Sequence, residues 1–337
     1  MVRRYAHRGL SVQRCMNLVE LSANQYYHKS TGRAVGRRSS RETLHICPHS
    51  GEQNLVDNIE VVSKIVEIKL DPDHANYYRL ITDTLRLRGY FINHKKVYRL
   101  MKEYILLEDR KKISGKQYVQ FRRAIPDQPL HILEMDIKYL YIHDSRRYAY
   151  VLTVIDTYTR YVLHWDVGYN MKSTQVQRVW EYVLAEYIQP IRGKSSEVHV
   201  EVRSDNGKQF SSKQILEFFE QNDLDKVFTH PYTPEENGHI ESFHCKLGKA
   251  LKNDRFVNLA SLYDRLVTFY QTYNNDRSHG SLKGLPPAIF WALDTMGHVT
   301  LIRNNKNKKV TVQLNVVYQE ILGLPGIHRY RYRALRA

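Results

Sequence analysis

The sequence predicts an α/β protein, a mixed sheet carrying helices and preceded by all-helical modules. Three observations lead there. Apolar residues recur at helical spacing through the N-terminal third, whereas from residue 129 the texture turns to β-rich runs. Beyond those runs, helical and strand patterns alternate. Charge follows the same division. Residues 1–125 carry 24 Lys+Arg against 12 Asp+Glu, residues 126–297 carry 19 against 22, and residues 298–337 carry 8 against 1. The 337-residue chain, with net charge +16, therefore has two basic arms around a slightly acidic middle. Basic arms attract polyanions by releasing condensed counterions, and clustered carboxylates suit cations.

Several classes are excluded. No run of about 18 apolar residues is present, so no membrane span is expected. The N-terminus lacks the apolar core of a secretory signal, and cytoplasm is the default compartment. Cys15, Cys47 and Cys245 are too few and too scattered for a disulfide framework. HICPH at 45–49 lacks the spacing of a zinc site and reads as chance ligands in a connector.

The elements follow in order. Residues 8–29 read as two short helices with a turn, a helix-turn-helix pattern within a first module at 1–30. Ser11 caps the first helix, Ser22 caps the second, and Val12, Cys15, Met16 and Val19 share one face. Residues 31–53, rich in Gly, Ser and Arg, read as a basic linker. A second helix-turn-helix module is expected at 54–117. Its first helix spans 54–70. In the next, Tyr78, Ile81, Leu85 and Leu87 face inward; Gly89 ends it and Asn93 caps its successor. There Val97, Leu100, Met101 and Tyr104 point inward, leaving Lys95, Lys96, Arg99 and Lys102 on the remaining surface. A short turn before a cationic helix suits a recognition helix in a major groove. Strands are expected at 130–142 and on both sides of a turn at Asp156–Thr159 within 146–168. A helix at 173–188, a strand at 198–207, a helix at 211–223 and a strand at 226–233 follow. The tail, 298–337, reads as a β-hairpin around Asn304–Lys309 and then an aromatic, cationic end suited to a nucleic-acid backbone.

Three acids stand out. Asp136 lies inside an apolar strand, a costly place unless compensated. Asp205 closes a strand, and Asn206-Gly207 turns the chain away. Glu241 follows TPEE, which has the capping-box form with Pro at the first helical position, so a helix is expected from Pro234. Asn237 and Gly238 weaken its first turn, as where a ligand or backbone comes close. At helical spacing Asn237, Glu241, His244 and Gly248 share one side, beside the stripe Ile240, Phe243, Leu247 and Leu251. Carboxylates brought together repel unless divalent cations neutralise them, and Mg²⁺ favours a few carboxylates plus phosphate oxygens. Asp156, in IDTYT, suits a turn acid bonding local N–H groups.

Thirty-five residues separate Asp205 from Glu241. Asp136 in MDIKY, Asp205 in SDNGKQF and Glu241 in PYTPEENGHIESFH resemble the D,D(35)E signature of retroviral integrases and bacterial insertion-sequence transposases. GLSV, the second helix-turn-helix and YNNDRSHGSLKGLPPAIF further resemble the second-reading-frame transposases of the insertion-sequence-three family, over about residues 8–293. The resemblance implies an RNase H-like core at 118–297, a mixed five-stranded sheet with helices on both faces. It implies Mg²⁺ or Mn²⁺, two ions per site, held by Asp136, Asp205 and Glu241. It implies a DNA substrate with terminal inverted repeats, cut at the element end and joined through the freed 3′-hydroxyl. Asn206, Asn237, His244, Lys246 and Lys249 are expected to contact DNA, beside Lys95, Lys96, Arg99 and Lys102. Partners implied are a second copy on DNA and an upstream-frame protein, with association to the bacterial nucleoid. The alternative is a DNA-binding regulator without catalysis. Gly248 and Cys245 depart from the family, which commonly has basic residues there. The retroviral paired-His, paired-Cys zinc domain is absent.

Overall fold

The computed structural model describes residues 2–27, 40–48, 50–74, 77–108, 124–193, 199–230, 234–304, 309–324 and 327. Contacts divide the chain into two units, 1–41 and 42–337. The first holds α1 (Val2–Ala6), α2 (Val12–Leu18) and α3 (Ala23–Tyr27) around buried Val2, Cys15 and Met16. Both expected serine caps form: Arg14 N donates to Ser11 Oγ and Gln25 N to Ser22 Oγ. Val19 does not share the buried face; it is the residue that ends α2 and is 36% exposed.

The second unit opens with a correction. Where the sequence reads as a linker and the start of a helix, β1 (Glu42–Ile46) and β2 (Gln53–Asp57) pair antiparallel. Residues 31–39 lie outside the described residues. The hairpin has a tertiary cause: Ile46 N donates to Gly89 O at 3.0 Å and Phe91 N to Leu44 O at 2.8 Å. Gly89 has φ +92, and a Cβ there would collide with the Ile46 carbonyl, so the close approach needs glycine. Asp57 caps α4 (Asn58–Leu70), so that helix begins later than the pattern indicates. α5 (Tyr78–Leu87) and α6 (His94–Glu103) follow, and Asn93 accepts from Lys96 N as expected. Val61, Ile65, Ile81, Leu85, Val97, Leu100 and Met101 fill the core between these helices. Each such side chain stabilises by about 1.5–3 kcal/mol. Tyr104 is not among them; it ends α6 and is 44% exposed.

The main sheet has order β5-β4-β3-β6-β7. β3 (Ile132–Ile142), β4 (Arg147–Asp156) and β5 (Val162–Gly168) are antiparallel; β6 (Val200–Ser204) and β7 (Leu224–Phe228) run parallel to β3. This mixed five-stranded α/β sheet has the RNase H-like order expected. Its two faces are covered separately. Leu133, Met135 and Ile137 pack with α7 (Ser173–Val183) and α9 (Lys213–Gln221). Val151, Ile155 and Trp165 pack with α10 (Gly238–Ala250) and α11 (Leu259–Asn275), where Trp165 stacks on Tyr270 at 4.7 Å. α7 runs through a π-helical turn, Leu184–Ile188, into α8 (Gln189–Arg192). Ser212 precedes α9 without a side-chain cap bond. α12 (Pro287–Thr295) and the hairpin β8 (Val299–Asn304)–β9 (Lys309–Leu314) complete the unit. That hairpin lies where the tail pattern places it; the residues from 328 are outside the described ones.

α10 does not start at Pro234. Residues Pro234–Asn237 form a 3₁₀ turn, and the α-helix begins at Gly238. Glu236 does not reach back as a capping box would; its carboxylate accepts from His230 N at 3.0 Å and pairs with His230 Nδ1 at 2.9 Å. Thr233 lies outside the described residues. Among the described residues a Cβ at Gly238 would meet no atom within 4 Å, so none of their backbone explains that glycine.

Candidate active site

Alternation along β3 sends Glu134, Asp136 and Lys138 to the α10 side, opposite Met135 and Ile137. Each of the three meets α10 in turn. Glu134, with no exposed side-chain surface, accepts from His239 N at 3.0 Å and Ile240 N at 2.8 Å and pairs with His239 Nδ1 at 2.8 Å. A carboxylate from the strand thereby caps the helix, satisfying donors that its own sequence leaves free. Asp136 stands 3.2 Å from His244 Nδ1 through Oδ2, while Oδ1 accepts from Ile137 N at 2.7 Å. A Cβ on Gly248 would lie 3.4 Å from Lys138 Nζ; the missing side chain leaves room for that ammonium.

Asp205 follows β6. The parallel register pairs Glu134 with Arg203, so continuing it two residues sets Asp205 level with Asp136. Its Oδ1 accepts from Gly207 N at 3.0 Å, the Asx turn expected of Asp-Asn-Gly. Both acids act on the Tyr139 hydroxyl, whose pKa is raised by burial first, then by Tyr150, Asp205 and Asp136. Glu241 lies in the first turn of α10, exposed, on the helix side that carries Asn237, His244 and Gly248. The three acids thus belong to neighbouring elements. They do not close into a cage: among the described residues no three His, Cys, Asp or Glu side chains are gathered as metal ligands. Asp136 pairs with His244 instead. Among the described residues, two buried polar atoms here have no protein partner, Asn237 Oδ1 and His244 Nε2.

The integrase core domain family matches twice, over residues 126–234 and 222–287. The protein of insertion element IS476 from Xanthomonas euvesicatoria is 30% identical over 67% of this chain and 63% of its own length. InsK of insertion sequence IS150 from Escherichia coli K12, itself named a transposase, is 24% identical over 68% of this chain and 81% of its own. The chain is thus similar to the integrase core domain and to proteins of bacterial insertion elements. The match spans just under two thirds of the Xanthomonas relative. Among solved structures, the catalytic core of BIV integrase is 19% identical over 50% of this chain and 97% of that one, with a TM-score of 0.36.

The other expected contacts divide. Asn206 and Lys249 are exposed. Lys246 is half-buried and donates to Ser242 Oγ at 2.9 Å; burial, then Arg277 and Arg160, lowers its pKa to about 8. On α6, Lys95 and Lys102 are exposed and Arg99 is half-buried. Lys96 is not on the open surface: it donates to Glu42 O and Thr43 Oγ1, both at 2.7 Å, tying α6 to β1. His45 of the HICPH stretch pairs through Nε2 with Arg88 O at 3.1 Å and packs on Tyr90, a structural role. Asp156 is the turn acid expected, buried and accepting from Leu130 N, Tyr158 N and Thr159 N; burial raises its pKa and these bonds oppose the rise.

Sequence reasoning passed over Glu134, Lys138 and Lys226. Glu134 carried the signal that singled out Asp136, an acid in an apolar strand. Lys226 on β7 donates to Ser204 Oγ and stands 4.6 Å over the Phe228 ring. Burial drives its pKa down to about 7, against the attraction of Asp205. No sequence period marks such a lysine.

Proposed function

We propose that this chain cuts DNA at the ends of a mobile element and joins the freed 3′-hydroxyl to another DNA, by divalent-metal phosphoryl transfer. The carrying observation is the placement of Asp136, Asp205 and Glu241 on one side of the β3–β6 pair and α10, beside the unpartnered Asn237 Oδ1 and His244 Nε2. The donor set fits the ions: oxygen-only carboxylate ligands suit Mg²⁺ or Mn²⁺. Asp136, Asp205 and Glu241 would hold two of them, which when bound polarise a phosphodiester and stabilise both attacking and leaving oxygens.

The remaining groups orient DNA. His244 holds Asp136 through Nδ1, leaving Nε2 for the substrate. Asn237 Oδ1 accepts a hydrogen bond from an incoming hydroxyl or water. Lys138 places positive charge where phosphate oxygens arrive, and Lys226 does so when protonated. Asn206 and Lys249 extend the contact, while Lys95, Arg99 and Lys102 bind the duplex through α6. The module division 1–30, 54–117, 118–297 and 298–337 serves this reading, as do a second copy for the second element end, an upstream-frame partner and a place on the nucleoid.

The test incubates wild type and Asp205→Asn with element-end DNA and Mn²⁺. Wild type is expected to give nicked and joined products and Asp205→Asn neither. Wild type that binds these ends yet makes no product overturns the proposal and leaves a DNA-binding regulator.

A further inference from the structure

A second cationic centre lies away from the three acids, where α11, α10 and the β4–β5 turn meet. The fold brings four residues together there. Asn274 exchanges two hydrogen bonds with the Val162 backbone, each 2.9 Å, which draws the end of α11 against the segment holding Arg160. Tyr273 packs edge-on to His279 at 4.9 Å and to Phe243 at 4.7 Å. His279 is thereby set against α10, one turn before Lys246. Arg277 lies between Tyr273 and His279 in the chain. Electrostatics agree: burial first, then Lys246, Arg277 and Arg160, hold the His279 pKa well below its usual range.

Arg160 donates to the Thr157 carbonyl, which leaves its charge in the cluster. Three cations, each half-buried, repel one another in a medium poorer than water at screening them. The carboxylates that act on Arg277 are Asp73 and Asp71, and both are engaged: Asp73 with Arg265 at 2.6 Å and Asp71 with His74 at 2.8 Å. Arg277 also donates to the Asp73 backbone carbonyl, one bond from a group with five donors. A second observation points to a ligand. His279, only 6% exposed, has Nε2 with no hydrogen-bond partner. The residues that follow it, Gly280, Ser281 and Lys283, line a cavity of about 380 Å³ together with Arg160 and with His239 at the start of α10.

We propose that Arg160, Lys246, Arg277 and His279 bind a backbone phosphate of DNA, a site separate from the three acids and linked to them through α10. The inference rests on the DNA reading above. Fork-like guanidiniums and an ammonium suit a phosphate group, and a phosphate resolves the repulsion among the cations. The cavity gives the flanking sugar and base a place to lie.

The test measures duplex affinity across salt concentrations for wild type and Lys246→Gln. Lys246 bonds only within its own helix turn, so its loss should leave the fold intact. Losing one phosphate contact should reduce the log–log salt slope by about 0.9. A parallel arm titrates inorganic phosphate into ¹⁵N-histidine-labelled full chain. The His279 Nε2 resonance should move in wild type and move less in Lys246→Gln. Unaltered slope together with an unmoved resonance overturns this site while leaving DNA binding standing. Wild type without any salt-dependent DNA binding removes the DNA reading and this site with it.

Discussion

Removing the Glu134 carboxylate should loosen α10, and the size of the effect follows from its bonds. Glu134→Ala strips the acceptor from His239 N and Ile240 N, which Glu134 Oε2 meets at 3.0 and 2.8 Å with no solvent exposure of the acid. A buried donor left unpaired costs about 1–3 kcal/mol, and the pairing with His239 is lost as well. The sum is about 4 kcal/mol, a large share of the roughly 5–15 kcal/mol that holds a domain folded. Glu134→Gln keeps an amide oxygen with two lone pairs for the two N–H groups and gives up only the charge, about 1 kcal/mol. Urea unfolding followed by far-ultraviolet circular dichroism reads both. The Ala variant should lose roughly 1–2 M in midpoint and the Gln variant well under 1 M. Amide exchange at His239 and Ile240 should quicken in the Ala variant ahead of global unfolding. An Ala variant with an unmoved midpoint and unchanged exchange would refute the claim that this acid holds the helix.

Two further predictions concern charge. Neutralising Lys95 and Lys102 together should reduce the salt slope of duplex binding by up to about 0.9 per lost phosphate contact, whereas Lys96→Met should leave the slope and lower the melting temperature, since Lys96 holds β1. Asp83 has its carboxyl pushed up to about 6 by burial, against the attraction of Arg86. Between about pH 4 and 6 the folded chain therefore keeps a proton that the unfolded chain has released, so stability falls as pH rises through that window. Asp83→Asn should flatten the fall, as urea midpoints at three pH values would show.

The order of strands and helices was legible because the core obeys its periods: Met135 and Ile137 alternate with Asp136, and Ile240, Phe243 and Leu247 keep helical spacing. Local chemistry was legible too, at Ser11, Asn93 and the Asp205-Asn206-Gly207 turn. What failed were elements settled by distant partners. The β1–β2 hairpin depends on backbone bonds to Gly89 and Phe91, which no pattern in residues 31–53 announces. Glu236 had the right offset for a capping box, but His230 competes for its carboxylate. Tyr104 kept the helical spacing past the point where α6 stops. Lys96 looked like its neighbours until β1 arrived. Glu134 shared the signal that marked Asp136, but its role stayed hidden because its main partners are backbone N–H groups, which have no side-chain signature.

One strand locates the helix that carries Glu241. Two residues along a strand advance about 6.8 Å, and about four and a half residues along an α-helix advance the same distance. Glu134 meets His239 and Ile240, Asp136 meets His244, and Lys138 faces Gly248, so successive same-side residues of β3 meet α10 at steps of that size. The two elements therefore run in the same direction and in register. Glu241 falls between the first and second of these contacts, and its height relative to Asp136 is set without a bond between the two acids. A one-residue slip of β3 against β4 would turn Glu134, Asp136 and Lys138 into the other core and bury Met135 and Ile137 against α10. The antiparallel register from Leu133–Asp156 to Ile142–Arg147 guards against that slip. The long β3–β4 pairing, far larger than support of one aspartate requires, is thus what fixes where the third acid stands.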